Sequence, residues 1–241
     1  MKSKFENIDK FLLSAAILIF VFMHLYYINA PPNGYHQWRE SDTSAIILNF
    51  YQEDANFLHQ HCNQRGAGSG ITGGELPTYS YLSALLYFLF GAHHFLPRLL
   101  TLIGSLVALF YFRKSVQLLS NDKAADYSTI ALAFSPLFLF YSYKIMPDIW
   151  MLMLMSMSVF YFLKCAETKK LTQIATSSLF LILSAAIKPL SLCLFLPYLI
   201  YLFHKNYGAK RAIATIAVYS SVTLTLVAGW YLYGVYINSI H

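Results

Sequence analysis

Apolar residues fall in long blocks along this chain. Blocks of near membrane-crossing length lie at about 11–29, 95–112, 126–143, 149–163, 172–187, 190–203 and 212–231. A helix needs roughly 20 such residues to cross a hydrocarbon core. An eighth block, Leu76 to Gly91, is shorter. As a helix it would reach about 24 Å, short of the ~30 Å core. The longest polar stretch, Ala30 to Glu75, precedes it. Within that stretch, Ile46, Ile47, Phe50 and Tyr51 share one side of a helix over Thr43 to Glu53, with Asp42 in the N-cap position. The pattern predicts an all-α polytopic bundle, one domain over 1–241, with amphipathic helices on the membrane surface in a loop over 30–94. The segment QRGAGSGITGG reads as a mobile linker, with backbone wrapping of a phosphate as the alternative.

Charge decides which blocks cross. If Leu76 to Gly91 stays in the interface, twelve bases share the side of the N-terminus: Lys2, Lys4, Lys10, Arg113, Lys114, Lys123, Lys164, Lys169, Lys170, Lys205, Lys210 and Arg211. Five lie opposite: Arg39, Arg65, Arg98, Lys144 and Lys188. If the block crosses, the split becomes six against eleven. The positive-inside rule selects the first arrangement, which has seven spans. Lys2, Lys4 and Lys10 ahead of so long an apolar block form an uncleaved signal anchor.

Composition agrees. Hydrophobic residues make up 57% of the chain and charged residues 12%, about half the charge of an ordinary soluble domain. The net charge of +6 comes from short basic clusters between apolar blocks, so it signals topology and not nucleic-acid binding. Cys62, Cys165 and Cys193 form no CxxC or zinc pattern, and His59, His61 and Cys62 lack a zinc-site spacing.

The same topology gathers Glu40, Asp42, Glu75, Asp148, Arg98, Lys144 and Lys188 on the side opposite the basic clusters. Ionisable groups at membrane depth are costly and tend to mark sites. Acids and bases at one interface suit a substrate with an anionic phosphate and a hydroxyl to be activated. Each also has a structural reading. Asp42, Glu75 and Asp148 suit helix caps, Glu40 a partner for neighbouring Arg39, and Lys144 and Lys188 snorkelling to headgroups.

Several short motifs follow one another in order: Trp38-Arg39-Glu40-Ser41-Asp42-Thr43, Glu75-Leu76-Pro77, Leu89-Phe90-Gly91, Pro97-Arg98, Met146-Pro147-Asp148 and Lys188-Pro189. Their succession resembles the C-type (GT-C) integral-membrane glycosyltransferases, in particular the group of protein O-mannosyltransferases and aminoarabinose transferases. The resemblance implies an inverting enzyme that takes sugar from a polyprenyl phosphate on the outer face. The acceptor is a glycan, lipid or protein, and the setting is a bacterial inner membrane with a cytoplasmic N-terminus. It implies an acid after the first span as catalytic base, and Asp42 holds that place, with Glu40 beside it as a second catalytic candidate. A base within reach can take the proton of the attacking hydroxyl. The lipid phosphate leaving group needs cations, which Arg39, Arg98, Lys144 and Lys188 could supply, with Asp148 also among the substrate-binding candidates. Glu75 and Asp148 could hold a divalent metal, the one cofactor expected.

The sequence departs from the pattern at Leu76, where aminoarabinose transferases have a lysine, and at Glu40, where many relatives have an amide. Relatives are about twice as long, so the resemblance covers their N-terminal half. A transporter or flippase, or a non-catalytic membrane assembly subunit, are the competing functions. A transporter would place charges mid-span in paired broken helices, whereas the charges here gather at block ends.

Overall fold

The computed structural model describes residues 2–66, 68–205 and 208–241, without the side chains of residues 2–7, so Lys2 and Lys4 lie outside the described side chains. Ten α-helices are described: α1 Lys2–Tyr26, α2 Gln37–Gln52, α3 Thr78–Phe90, α4 Phe95–Leu119, α5 Asp122–Ala133, α6 Pro136–Ser142, α7 Asp148–Thr168, α8 Leu171–Ile187, α9 Phe195–His204 and α10 Ala209–Ile240. A 3₁₀ helix, Pro189–Leu194, joins α8 to α9. The expected all-α bundle is what forms.

Each apolar block becomes helix, but not each becomes one long helix. By length and composition, four cross alone: α1 over Ile8–Tyr26, α4, α7 and α10. The other three blocks are shorter or divided. Pro136 lacks an N–H and forces Ser135 into extended backbone, which separates α5 from α6. Pro189 does the same to Lys188 and ends α8 after 17 residues. The block around 190–203 is therefore a 3₁₀ turn followed by a ten-residue helix.

Water supplies no hydrophobic drive between helices in lipid, so close packing and buried hydroxyls hold such bundles together. Helix α7 is the hub, packed on α4 and α8. Along α4, Thr101, Gly104, Ser105 and Ala108 form a small-residue stripe; a Cβ on Gly104 would already meet Ile149 at 3.4 Å. Between α7 and α8, the Ser158 and Ser177 hydroxyls each donate to the other's backbone carbonyl at 2.9 Å. The hydroxyls of Tyr198 and Tyr219 close this knot from α9 and α10.

The polar loop folds into a cap over one end of the bundle. Helix α3 has 13 residues, matching its interfacial assignment, and ends at Gly91 with φ +82°. Helix α2 starts earlier than its apolar periodicity suggests, because His36 in the left-handed region (φ 60°) turns the chain into it. Asp42 is consequently in the helix's second turn, not at its cap. Glu75 caps nothing either: α3 is entered through Pro77, and α7 through Pro147 with Asp148 as its first residue.

The glycine segment is not a loose linker. A bridge joins His61 to Ile71, and the Asn238 amide of α10 accepts from Gly73 N–H at 2.7 Å while donating to Gly73 carbonyl. Trp230 Nε1 donates to Gly74 carbonyl at 2.8 Å. A Cβ on Gly73 would sit 2.3 Å from the Gly234 Cα, so the two backbones touch only because both residues are glycine.

Candidate active site

Helix α2 carries two stripes, and they separate its carboxylates. Positions 40, 43, 44, 47 and 50 are all buried, in the i, i+3, i+4, i+7 progression of one helical face. Positions 39, 42, 43 and 46 form a neighbouring face that lines a cavity of about 400 Å³. The rest of that cavity comes from Gln60, Cys62 and Gln64, from Thr72 to Pro77, from Tyr79 and Ser80 on α3, and from Pro147.

Arg39 organises the cavity wall. Its guanidinium donates to Glu75 from one end and lies 3.6 Å from Asp42 at the other. The Asp42 side chain is 42% exposed, so a substrate can reach it. Burial pushes the Glu75 carboxyl above the usual range, against the pull of Arg39 and of Lys188. Lys188 is itself paired: it donates to Asp148 Oδ1 at 2.5 Å. The second oxygen, Asp148 Oδ2, is buried without a hydrogen-bond partner. Leu76 N–H donates to Ala186 carbonyl, which ties the cavity rim to the end of α8.

The other face of α2 holds a buried ion cluster. Glu40 is fully buried. Its carboxylate meets Arg98 at 2.9 Å and Lys144 at 3.0 Å, and accepts from Ile145 N–H at 3.1 Å. Two cations against one anion leave an excess positive charge, and main-chain carbonyls solvate it. Arg98 donates to the carbonyls of Ala30, Pro31 and Tyr143, and Lys144 to that of Asn33 at 2.6 Å. Glu40, expected as a second catalytic group, and Arg98 and Lys144, expected as cations for the substrate, are thus brought together with one another, and none of the three lines the Asp42 cavity. One edge of Arg98 borders a separate cavity of about 310 Å³ beside His24 and Tyr27.

The metal expectation finds no support in the donor set. Among the described residues no three His, Cys, Asp or Glu side chains are placed to hold an ion. Glu75 is held by Arg39 and Asp148 by Lys188, so each already faces a cation. His59 and His61 lie 3.4 and 3.6 Å from Asp54 and Glu53 at the far end of α2.

Sequence reasoning did not place Gln60, Cys62, Thr72 and Tyr79 at the cavity. Tyr79 carried a usable signal: Tyr79, Ser80, Ser83, Ala84 and Tyr87 repeat at helical spacing and are the buried stripe of α3. The loop residues carried none, because their position depends on docking to α10.

Membrane-length apolar helices and a helical cap over a charged cavity define an integral membrane protein of the GT-C architecture. The solved structure of ArnT from Cupriavidus metallidurans in the apo state shares this fold, with a TM-score of 0.64 over 92% of this chain at 15% identity. The alignment covers 42% of the ArnT chain, so the present chain spans less than half of that structure's length. The model of the dolichyl-phosphate-mannose-protein mannosyltransferase family matches residues 75–232, more than half the chain, and the chain belongs to that family. No curated protein matches it in sequence.

Proposed function

We propose that this chain forms the reacting half of a glycosyltransferase that moves sugar from a polyprenyl phosphate to an acceptor on the outer face of a bacterial inner membrane. The observation that carries the reading is one cavity lined by an accessible carboxylate, Asp42, and by Arg39 and Glu75. In the family to which the chain belongs, the printed donor is dolichyl-phosphate-mannose and the printed acceptor a protein. The donor sugar and acceptor of this chain are left as a polyprenyl-phosphate sugar and a glycan, lipid or protein hydroxyl.

Asp42 takes the proton as the acceptor oxygen attacks the anomeric carbon, while the bond from that carbon to the phosphate oxygen breaks. The electron pair leaves on the lipid phosphate, where Arg39 in the cavity wall meets its charge. Glu75 keeps Arg39 aligned between the two carboxylates. Each short or broken helix pair makes one crossing, which gives seven spans with the N-terminus cytoplasmic. On that topology the first loop, Lys188 and the far end of α10 share one side.

The test is transfer from a radiolabelled polyprenyl-phosphate sugar in membranes expressing the full-length protein. Asp42→Asn removes the proton acceptor with little change in shape, and is expected to abolish transfer while thermal stability in detergent is unchanged. Normal turnover by Asp42→Asn overturns the assignment.

A further inference from the structure

At the opposite end of the bundle from Asp42, a groove of about 520 Å³ runs between α8 and α10. Its walls are apolar: Leu171 and Ile174 on α8, Val218 and Val222 on α10. Its mouth is basic, with Lys169, Lys170 and Arg211. The turn that presents two of these bases is tightly formed. Lys169 adopts φ 55° and its N–H donates to Cys165 carbonyl at 2.7 Å, so the chain reverses and sets Lys169 and Lys170 side by side at the start of α8. The acid of this turn, Glu167, acts on Tyr201 of α9 and does not line the groove.

From this arrangement we infer a binding site for an anionic phospholipid in the leaflet of the basic end. An acyl chain lies along Ile174, Val218 and Val222, and the phosphate sits at Lys169, Lys170 and Arg211. Three observations select this occupant. The groove lies between α10, long and apolar enough to cross a membrane, and the shorter apolar helix α8, so a ligand with an apolar tail fits it. Leu171, Val218 and Val222 are well exposed, which a lipid tail can cover. The charge at the mouth is positive, which favours a headgroup with net negative charge over a zwitterion. The Ser178 hydroxyl on the groove lining pairs with Thr223 of α10 at 3.4 Å. The site is independent of the transferase reading and rests only on the chain lying in a membrane.

Native mass spectrometry of the full chain, titrated with phosphatidylglycerol and separately with phosphatidylcholine, tests the inference. Phosphatidylglycerol is expected to be retained preferentially. The double variant Lys169→Gln/Lys170→Gln should weaken that retention by roughly thirtyfold, the order expected for two bases at an anionic surface, and leave phosphatidylcholine unaffected. Val222→Trp fills the groove while keeping every base, and should reduce retention of phosphatidylglycerol. Soluble glycerol 3-phosphate should compete poorly, because it lacks the tail. Equal retention of the two lipids, or unchanged phosphatidylglycerol binding in either variant, overturns the site. Competition by glycerol 3-phosphate as strong as by the lipid also overturns it. Should the double lysine variant fail to fold, Val222→Trp alone decides.

Discussion

Glu40 and Asp42 stand two residues apart on one helix, yet they occupy opposite electrostatic worlds. A two-residue step rotates the side chain about 200° around the helix. Glu40 therefore points into the bundle, where Arg98 and Lys144 enclose it, and Asp42 points into a cavity that solvent and substrate can enter. A buried carboxylate with three donors is a structural joint, fixed by the cost of separating it from its cations. An accessible one with a single arginine at 3.6 Å stays open to the cavity. The lesson is that proximity in sequence says little about which of two acids stays accessible; the cations recruited from α4 and the turn before α7 decide.

Four changes would break or sharpen that contrast. Asp42→Asn is expected to have the largest effect, cutting transfer by about 10²–10⁴-fold, the range for losing a positioned general base, with the melting temperature unmoved. Glu40→Gln should do the reverse. It leaves Arg98 and Lys144 buried without their anion, at a cost of about 3–5 kcal/mol, visible as loss of folded protein on size-exclusion chromatography. A well-folded Glu40→Gln protein with a specific loss of turnover would reverse the two roles. Next, Gly73→Ala drives a methyl into the Gly234 backbone and should cost about 1–3 kcal/mol, read as a lower melting temperature together with faster proteolysis of the loop.

The smallest effect concerns pH. Burial raises the Glu75 carboxyl above its ordinary range. In the unfolded chain it ionises first; in the folded chain it ionises later, at a cost. Its contribution to stability is full below the unfolded value and is lost as pH rises through the folded one. Glu75→Gln should flatten that fall in stability, followed by denaturation across mildly acidic pH. Because an ionised Glu75 aligns Arg39, transfer by this variant should be reduced at every pH, with no acid limb owed to this carboxyl.

Helices and their approximate ends were legible in the sequence because apolar block length and proline position act locally. Leu76 to Gly91 became Thr78–Phe90, and the break at Pro136 sits where the ring must place it. The two roles within Arg39–Asp42 were not legible. Glu40's partners lie 58 and 104 residues away, and nothing in the local pattern reveals that they converge. The glycine segment misled for the same reason. Its composition matches a flexible linker, and only the meeting of Gly73 with Gly234, across 161 positions, turns it into a contact surface.

At 32 residues, α10 measures about 48 Å by its 1.5 Å rise, well beyond the ~30 Å hydrocarbon layer. Its overhang is fastened by Asn238 and Trp230 to the cavity rim at Gly73 and Gly74. Such a strut can match a thinner bilayer by tilting, and tilting it would drag the rim along. Bilayer thickness then becomes a mechanical input to the cavity's width.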